Sequence, residues 1–202
     1  MKLHLPVLPP ILSIPLAIAQ NTTTTTGNFV SFTDPGIELT IKLAIPDASS
    51  PPFPLLITFS APLAVGWAGF ATGGCMLRSP LIVAWPNGKD VVVSSRWAKA
   101  FHPPTPYPNT TLSLLPSGTT VNATHWTAAI LCERGCSDWL GGEVDPNYNN
   151  GTFGYGASSH APTAPADKDS AIRFHDLAIG HFDWDLNKAK NEAGVWGGMT
   201  KA

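Results

Sequence analysis

Ile37-Glu38-Leu39-Thr40-Ile41-Lys42-Leu43-Ala44-Ile45 places a branched apolar residue at every odd position and a polar or small one between. A period of two marks a strand buried on one face, because successive side chains point to opposite sides of a sheet. Outward from it, Leu55–Phe59 is a shorter apolar run. Leu81-Ile82-Val83-Ala84-Trp85 and Val91-Val92-Val93 flank Pro86-Asn87-Gly88-Lys89, a turn sequence that predicts a hairpin. Further strands are expected over Thr111–Leu115, His125–Cys132, Ile172–Phe174 and His181–Leu186. Only Leu186–Ala193 has helical composition, which predicts one short C-terminal helix. The 20 prolines and 18 glycines punctuate these runs as a sandwich of short strands requires. Pro-rich stretches at 51–54 and 103–108, and the small-residue stretch Ala157–Asp169, read as loops.

The ends and the composition bound the compartment. Residues 1–19 have Lys2, an apolar run from Leu5 to Ile18 and the small-x-small exit Ala17-Ile18-Ala19, the pattern of a secretory signal peptide. Residues 20–30, with the tract Thr22–Thr26, are expected to form a flexible tail, leaving 31–202 as one domain. Four Asn-x-Thr sequons begin at Asn21, Asn109, Asn122 and Asn150, so those loops are expected to face water and carry glycans. Cys132 and Cys136 bracket Glu-Arg-Gly and can close a small disulfide if the backbone turns sharply, leaving Cys75 over. No cysteine or histidine spacing fits a zinc finger. Charged residues are 13 % of the chain, the net charge is −2 and no basic cluster exists, which argues against nucleic acid as a partner. No later stretch is long and apolar enough to span a membrane. A secreted monomer is the expectation.

Candidate chemistry centres on Met76. Met1 lies in the leader and Met199 near the end, whereas Met76 follows the small-residue run Gly66-Trp67-Ala68-Gly69-Phe70-Ala71-Thr72-Gly73-Gly74. A thioether is a soft ligand suited to iron or copper, and paired with an imidazole it holds haem iron for electron transfer. Glycines beside it let a large flat body approach the backbone. Trp67 and Phe70 are candidates to pack on its faces. Of the histidines beyond the leader, His125 sits next to a sequon, His160 lies in the Ala/Pro/Ser loop, and His102 precedes two prolines. His175 and His181 remain, with Asp176 and Asp183 as candidate carboxylates to orient an imidazole. No local rule separates the two. Cys-x-x-Cys-His is absent, so a haem here would be non-covalent.

Gly66-Trp67-Ala68-Gly69, Gly73-Gly74-Cys75-Met76 and Leu81-Ile82-Val83-Ala84-Trp85-Pro86-Asn87-Gly88 together resemble the cytochrome domain of fungal cellobiose dehydrogenases. Ser94-Ser95-Arg96-Trp97-Ala98, the Cys132-x3-Cys136 loop followed by Trp139, and His175 with Asp185-Leu186-x-x-Ala189 continue the likeness. The resemblance implies an immunoglobulin-like antiparallel β-sandwich holding one haem b between Met76 and His175, with His181 ranked below. Where dehydrogenase-linked members often carry a tyrosine that bonds a haem propionate, this sequence has Phe101, leaving Arg96 or Tyr107 as substitutes.

No flavin domain is expected to follow, which would make the resemblance one to the stand-alone iron reductase form, with any dehydrogenase a separate protein. An iron with both axial positions filled shuttles electrons and has no open site for substrate. By resemblance the donor is an extracellular flavin or quinone dehydrogenase and the acceptor a lytic polysaccharide monooxygenase or a ferric complex. The rival is a secreted haem-free β-sandwich that binds carbohydrate or protein.

Overall fold

A computed structural model describes residues 27–201. The expected signal peptide, most of the expected tail and the Asn21 sequon lie outside them. In chain order the strands are Val30–Asp34 (β1), Leu39–Pro46 (β2), Leu55–Pro62 (β3), Trp67–Ala71 (β4), Leu81–Asn87 (β5), Asp90–Trp97 (β6), Thr105–Pro106 (β7) and Thr111–Leu114 (β8). They continue as Thr120–Val121 (β9), His125–Arg134 (β10), Asp138–Trp139 (β11), Gly142–Glu143 (β12), Gly151–Ser158 (β13), Ala178–Trp184 (β14) and Lys190–Asn191 (β15). One sheet runs β1-β2-β3-β10-β8, with β9 paired to β10 and β15 lying parallel beside β2; the other runs β14-β13-β4-β5-β6-β7.

Their facing sides make the core. Leu39, Ile41, Leu43 and Ile45, the odd positions of the opening alternation, are all fully buried against it. The strand starts two residues after Ile37 because Glu38 is in the left-handed region (φ 53°), where the chain turns from β1 into β2. The hairpin forms as expected: Asn87 pairs with Asp90 across Gly88-Lys89, and Gly88 takes the positive φ of 65° that the reversal needs. The second sheet contributes Ala68, Phe70, Ile82, Ala84 and Phe153 to the same core.

Several expectations need correction. Ile172–Phe174 is not a strand; the last long strand is Ala178–Trp184. Leu186–Ala189 forms a 3-10 turn whose Leu186 and Ala189 are buried in the core, and the α-helix comes later, at Ala193–Met199 (α1). Within 103–108, Thr105–Pro106 pairs with β6. The tail's last residues are held: Asn28 donates to Asn191 Oδ1 at 2.7 Å, and Val30 opens β1. β1, β4 and β13 were not expected. β4 is buried at all five positions: the core covers one face, and on the other Trp67 and Ala71 cluster with Leu81, Val83 and Ile172, the last from the strap of residues 159–177.

That covering strap is far from loose. Trp85 donates its indole N–H to the Pro165 carbonyl at 2.7 Å. The buried guanidinium of Arg96 donates to the carbonyls of Lys168 at 2.6 Å and Ser170 at 2.7 Å, and to Ser94 Oγ at 2.7 Å. Burial pushes the Arg96 pKa below its ordinary value, and the charges of Asp169 and Asp167 oppose that shift.

Candidate functional site

The outer face of the second sheet is built from strand register. One row across β14-β13-β4-β5 is Ile179, Gly156, Gly69 and Val83; the next is His181, Gly154, Ala71 and Leu81. Alternate residues point the opposite way, so Phe70, Phe153 and Phe182 fill the interior while glycine and alanine floor the exterior. Over this floor lies a cavity of about 540 Å³. Gly69 and Gly156 are not needed for backbone shape, since neither has a positive φ. A Cβ on Gly69 would meet nothing nearer than 3.5 Å and one on Gly156 nothing nearer than 3.6 Å. What these glycines provide is open space directly above the sheet.

Two segments border that space. The β4–β5 loop folds over Gly154, where an added Cβ would reach the Gly74 carbonyl at 2.5 Å. Ser79 Oγ donates to the Cys75 carbonyl at 2.7 Å, Arg78 N–H to Ala98 O at 3.1 Å, and Trp139 Nε1 to Arg78 O at 3.0 Å. The half-buried Met76 is therefore carried on a loop tied at both ends. Over Gly156 sits His175, whose Cβ and Cδ2 lie 3.6 Å from the position a Cβ there would take. Two residues along a strand span about 7 Å, so the two segments reach the floor at neighbouring positions of its outward row.

His175 is held through its neighbour. Asp176 accepts from Ser158 Oγ at 2.6 Å, Ser159 N at 2.8 Å and Ser159 Oγ at 2.7 Å, and lies 3.2 Å from His160 Nδ1. Those donors hold the Asp176 carboxyl well below the usual carboxylate range. The carboxylate thus pins the strap to the end of β13 and meets the ring of His160, and does not orient His175 or His181 through a ring nitrogen, as the sequence had led us to expect. Asp183 is likewise engaged, by Thr152 Oγ1 at 2.6 Å. Among the described residues neither His175 nor His181 makes a ring hydrogen bond, and no group of three or more His, Cys, Asp or Glu side chains could hold a bare metal ion.

Met76, His175, Trp67, Phe70 and Phe101, all expected at the site, line this one cavity, and so does His181. Phe70 does so from below: its ring packs on Phe153 and Trp184 in the core, so it cannot lie flat on a ligand's face. Trp67 presents its Cζ3 edge toward Gly69. Phe101 is 79 % exposed at the mouth. Arg96 is consumed by the strap, and Tyr107 stacks on Trp97 with ring centroids 4.7 Å apart, outside the cavity lining; neither stands in for the family's tyrosine. Sequence reasoning missed Arg173 at the mouth and the Gly154/Gly156 pair in the floor. The signal for the pair was Gly-x-Gly alternating with Phe153, Tyr155 and Ala157.

Away from the cavity, Cys132 and Cys136 form a disulfide with Cα atoms 6.3 Å apart, and Cys75 is free and exposed. Asn109, Asn122 and Asn150 are all exposed. No helix of the described residues is long and apolar enough to cross a membrane.

A family model described as the cytochrome domain of cellobiose dehydrogenase matches residues 21–193. A pyrroloquinoline quinone-dependent pyranose dehydrogenase from Coprinopsis cinerea is 31 % identical over 134 residues, 65 % of this chain; the match spans only 18 % of that relative's length. Among solved structures, the cytochrome b domain of pyranose dehydrogenase from Coprinopsis cinerea aligns with a TM-score of 0.76 at 26 % identity, covering 84 % of this chain and 87 % of that one. The cytochrome domain of Myriococcum thermophilum cellobiose dehydrogenase aligns at 0.73 with 20 % identity, covering 88 % and 99 %, and supports the fold.

Proposed function

Because this chain belongs to the family of cellobiose dehydrogenase cytochrome domains, we propose that it holds one non-covalent haem b and relays single electrons between secreted redox proteins. The residues fit such a group. The glycine floor admits a flat body, the walls are mostly apolar, and the soft and imidazole donors lining the cavity are Met76, Cys75, His102, His175 and His181. Haem b, when bound, supplies one iron that changes oxidation state by a single electron. Everything else is the work of this chain.

Met76 and His175 are the proposed axial ligands. They would hold the iron from separate segments, which reach the floor at Gly154 through Gly74 and at Gly156 through His175, whereas His181 sits in the Gly154 row itself. With Met76 and His175 both bound to it, the iron would offer no site to oxygen or substrate. Thioether ligation favours the reduced iron and raises the potential. Trp67 walls the cavity with its indole edge, and the pinned strap keeps His175 from drifting. Arg173 and His102 at the mouth offer donors to the haem carboxylates, the role left open by Phe101.

The proposed donor is a secreted dehydrogenase of the quinone or flavin class, the first favoured by the pyrroloquinoline quinone-dependent relative. The proposed acceptor is a lytic polysaccharide monooxygenase or a ferric complex. Secretion rests on the leader pattern, the sequons and the disulfide.

The observation that carries this reading is that Met76 and His175 border one glycine-floored cavity. Its test is a pair of variants. Replacing His175 with Ala is expected to abolish tight haem retention, and His181→Ala to leave a six-coordinate low-spin spectrum. The reverse outcome would transfer the ligand role to His181, and loss in neither would remove the imidazole from the account.

A further inference from the structure

A second cleft, of about 590 Å³, lies on the far side of the loop that carries Met76, and the chain's own Asn150 lines it. We propose that this cleft is the seat of an N-linked glycan on Asn150, whose first N-acetylglucosamine residues pack between Trp139 and Tyr148 and brace the β4–β5 loop. The inference rests on the secretory reading above.

Both aromatic walls are set in place by glycines before any sugar arrives. A Cβ on Gly142 would come within 2.7 Å of the Trp139 ring, and one on Gly73 within 2.9 Å. The Trp139 indole N–H is fixed on the Arg78 carbonyl. Tyr148 lies against Gly151, where a Cβ would meet its Cδ2 at 2.6 Å. Gly151 is the middle residue of the sequon Asn150-Gly151-Thr152, so the attachment point and the ring share one turn. Arg78 and Glu143 border the cleft, are exposed, and make no ion pair among the described residues.

Fixed aromatic faces beside a few unpaired polar groups suit a pyranose. Its C–H face packs on a ring while its hydroxyls and acetamide reach donors and acceptors at the rim. Rigid walls reduce the ordering cost of seating it. A tethered sugar also needs only weak affinity of its own, because attachment two residues from Tyr148 keeps its local concentration high. The opposite wall includes Leu77, Arg78 and Ser79, so a seated glycan stiffens the segment that positions Met76.

The test uses the haem-loaded protein secreted from a eukaryotic host, with N150Q and the control N109Q. Glycopeptide mass spectrometry is expected to find Asn150 occupied. Hydrogen exchange over residues 72–79 and 138–143 should quicken several-fold in N150Q and not in N109Q. Trimming with an endoglycosidase that leaves one N-acetylglucosamine should preserve the protection. A bare Asn150 alongside a glycosylated Asn109 or Asn122 overturns the proposal, as does unchanged exchange in N150Q. The absorption spectrum of the same samples reads the haem assignment independently, so either idea can fail without the other.

Discussion

The two faces of the second sheet use the same strands to opposite ends. On the inward face of β4, β13 and β14, Phe70, Phe153, Phe182 and Trp184 interlock with ring centroids 4.6–6.3 Å apart. On the outward face of those strands and β5, Gly69, Ala71, Gly154 and Gly156 leave a cavity. One residue along the strand separates a side chain that stabilises from a position that must stay empty. Stability and site are thereby assigned to different residues, and substitutions can tell them apart.

The largest expected effect falls on the inward face. Phe153→Ala leaves a void among the three remaining aromatic rings and should cost about 3–5 kcal/mol. At about 2–4 °C per kcal/mol for a domain of this size, thermal denaturation of the apo-protein should show it plainly. Equal stability in the variant would mean the cluster is not close-packed.

On the outward face, Gly156→Val should leave apo stability within about 1 kcal/mol, because the floor has room for a Cβ and valine suits a strand. Haem affinity should nonetheless fall about 10–100-fold as the added methyls crowd the His175 side, measurable by titration of the apo-protein with haem. A variant that unfolds while keeping its affinity would erase the division between the faces. Met76→Leu probes the same cavity more gently. Fold and haem uptake should persist, the low-spin spectrum should be lost, and the potential should drop, read by spectroelectrochemistry.

The smallest effect concerns Tyr155, whose ring belongs to the inward cluster. Its hydroxyl donates to Asp34 Oδ2 at 2.7 Å; desolvation and that hydrogen bond push its pKa up to about 12. A raised phenol pKa means the folded protein keeps a proton that the unfolded chain gives up. Its stabilising contribution is therefore complete below pH 10 and lost as pH rises towards 12. Tyr155→Phe should flatten the decline in stability across that window, measured by urea denaturation at each pH, without altering the spectrum at neutral pH.

The same contrast explains what was legible in the sequence. β2 was readable because one of its faces is core and the other carries Thr40 and Lys42. β4 and β13 were not, because their central outward positions, Gly69, Ala71, Gly154 and Gly156, are glycine and alanine, which signal neither burial nor exposure to a search for alternation. The helix was displaced in the reading because Ala193–Met199 contains three glycines. It forms nonetheless, with Trp196 and Met199 packed on the cluster of Ala44, Leu56, Leu115 and Ala129, tertiary burial that local propensity does not record. At the site, Met76 and His175 came from chemistry and resemblance, whereas the job of Arg96 depended on a strap some 70 residues downstream that no local pattern reveals.

The most direct test of the central claim is the absorption spectrum of the reduced, purified protein before and after exposure to carbon monoxide. A low-spin haem b spectrum that carbon monoxide leaves unchanged is the predicted result if, as proposed, the Met76 sulfur and the His175 imidazole both hold the iron. A preparation without porphyrin, or one whose spectrum shifts as the gas binds, would contradict it.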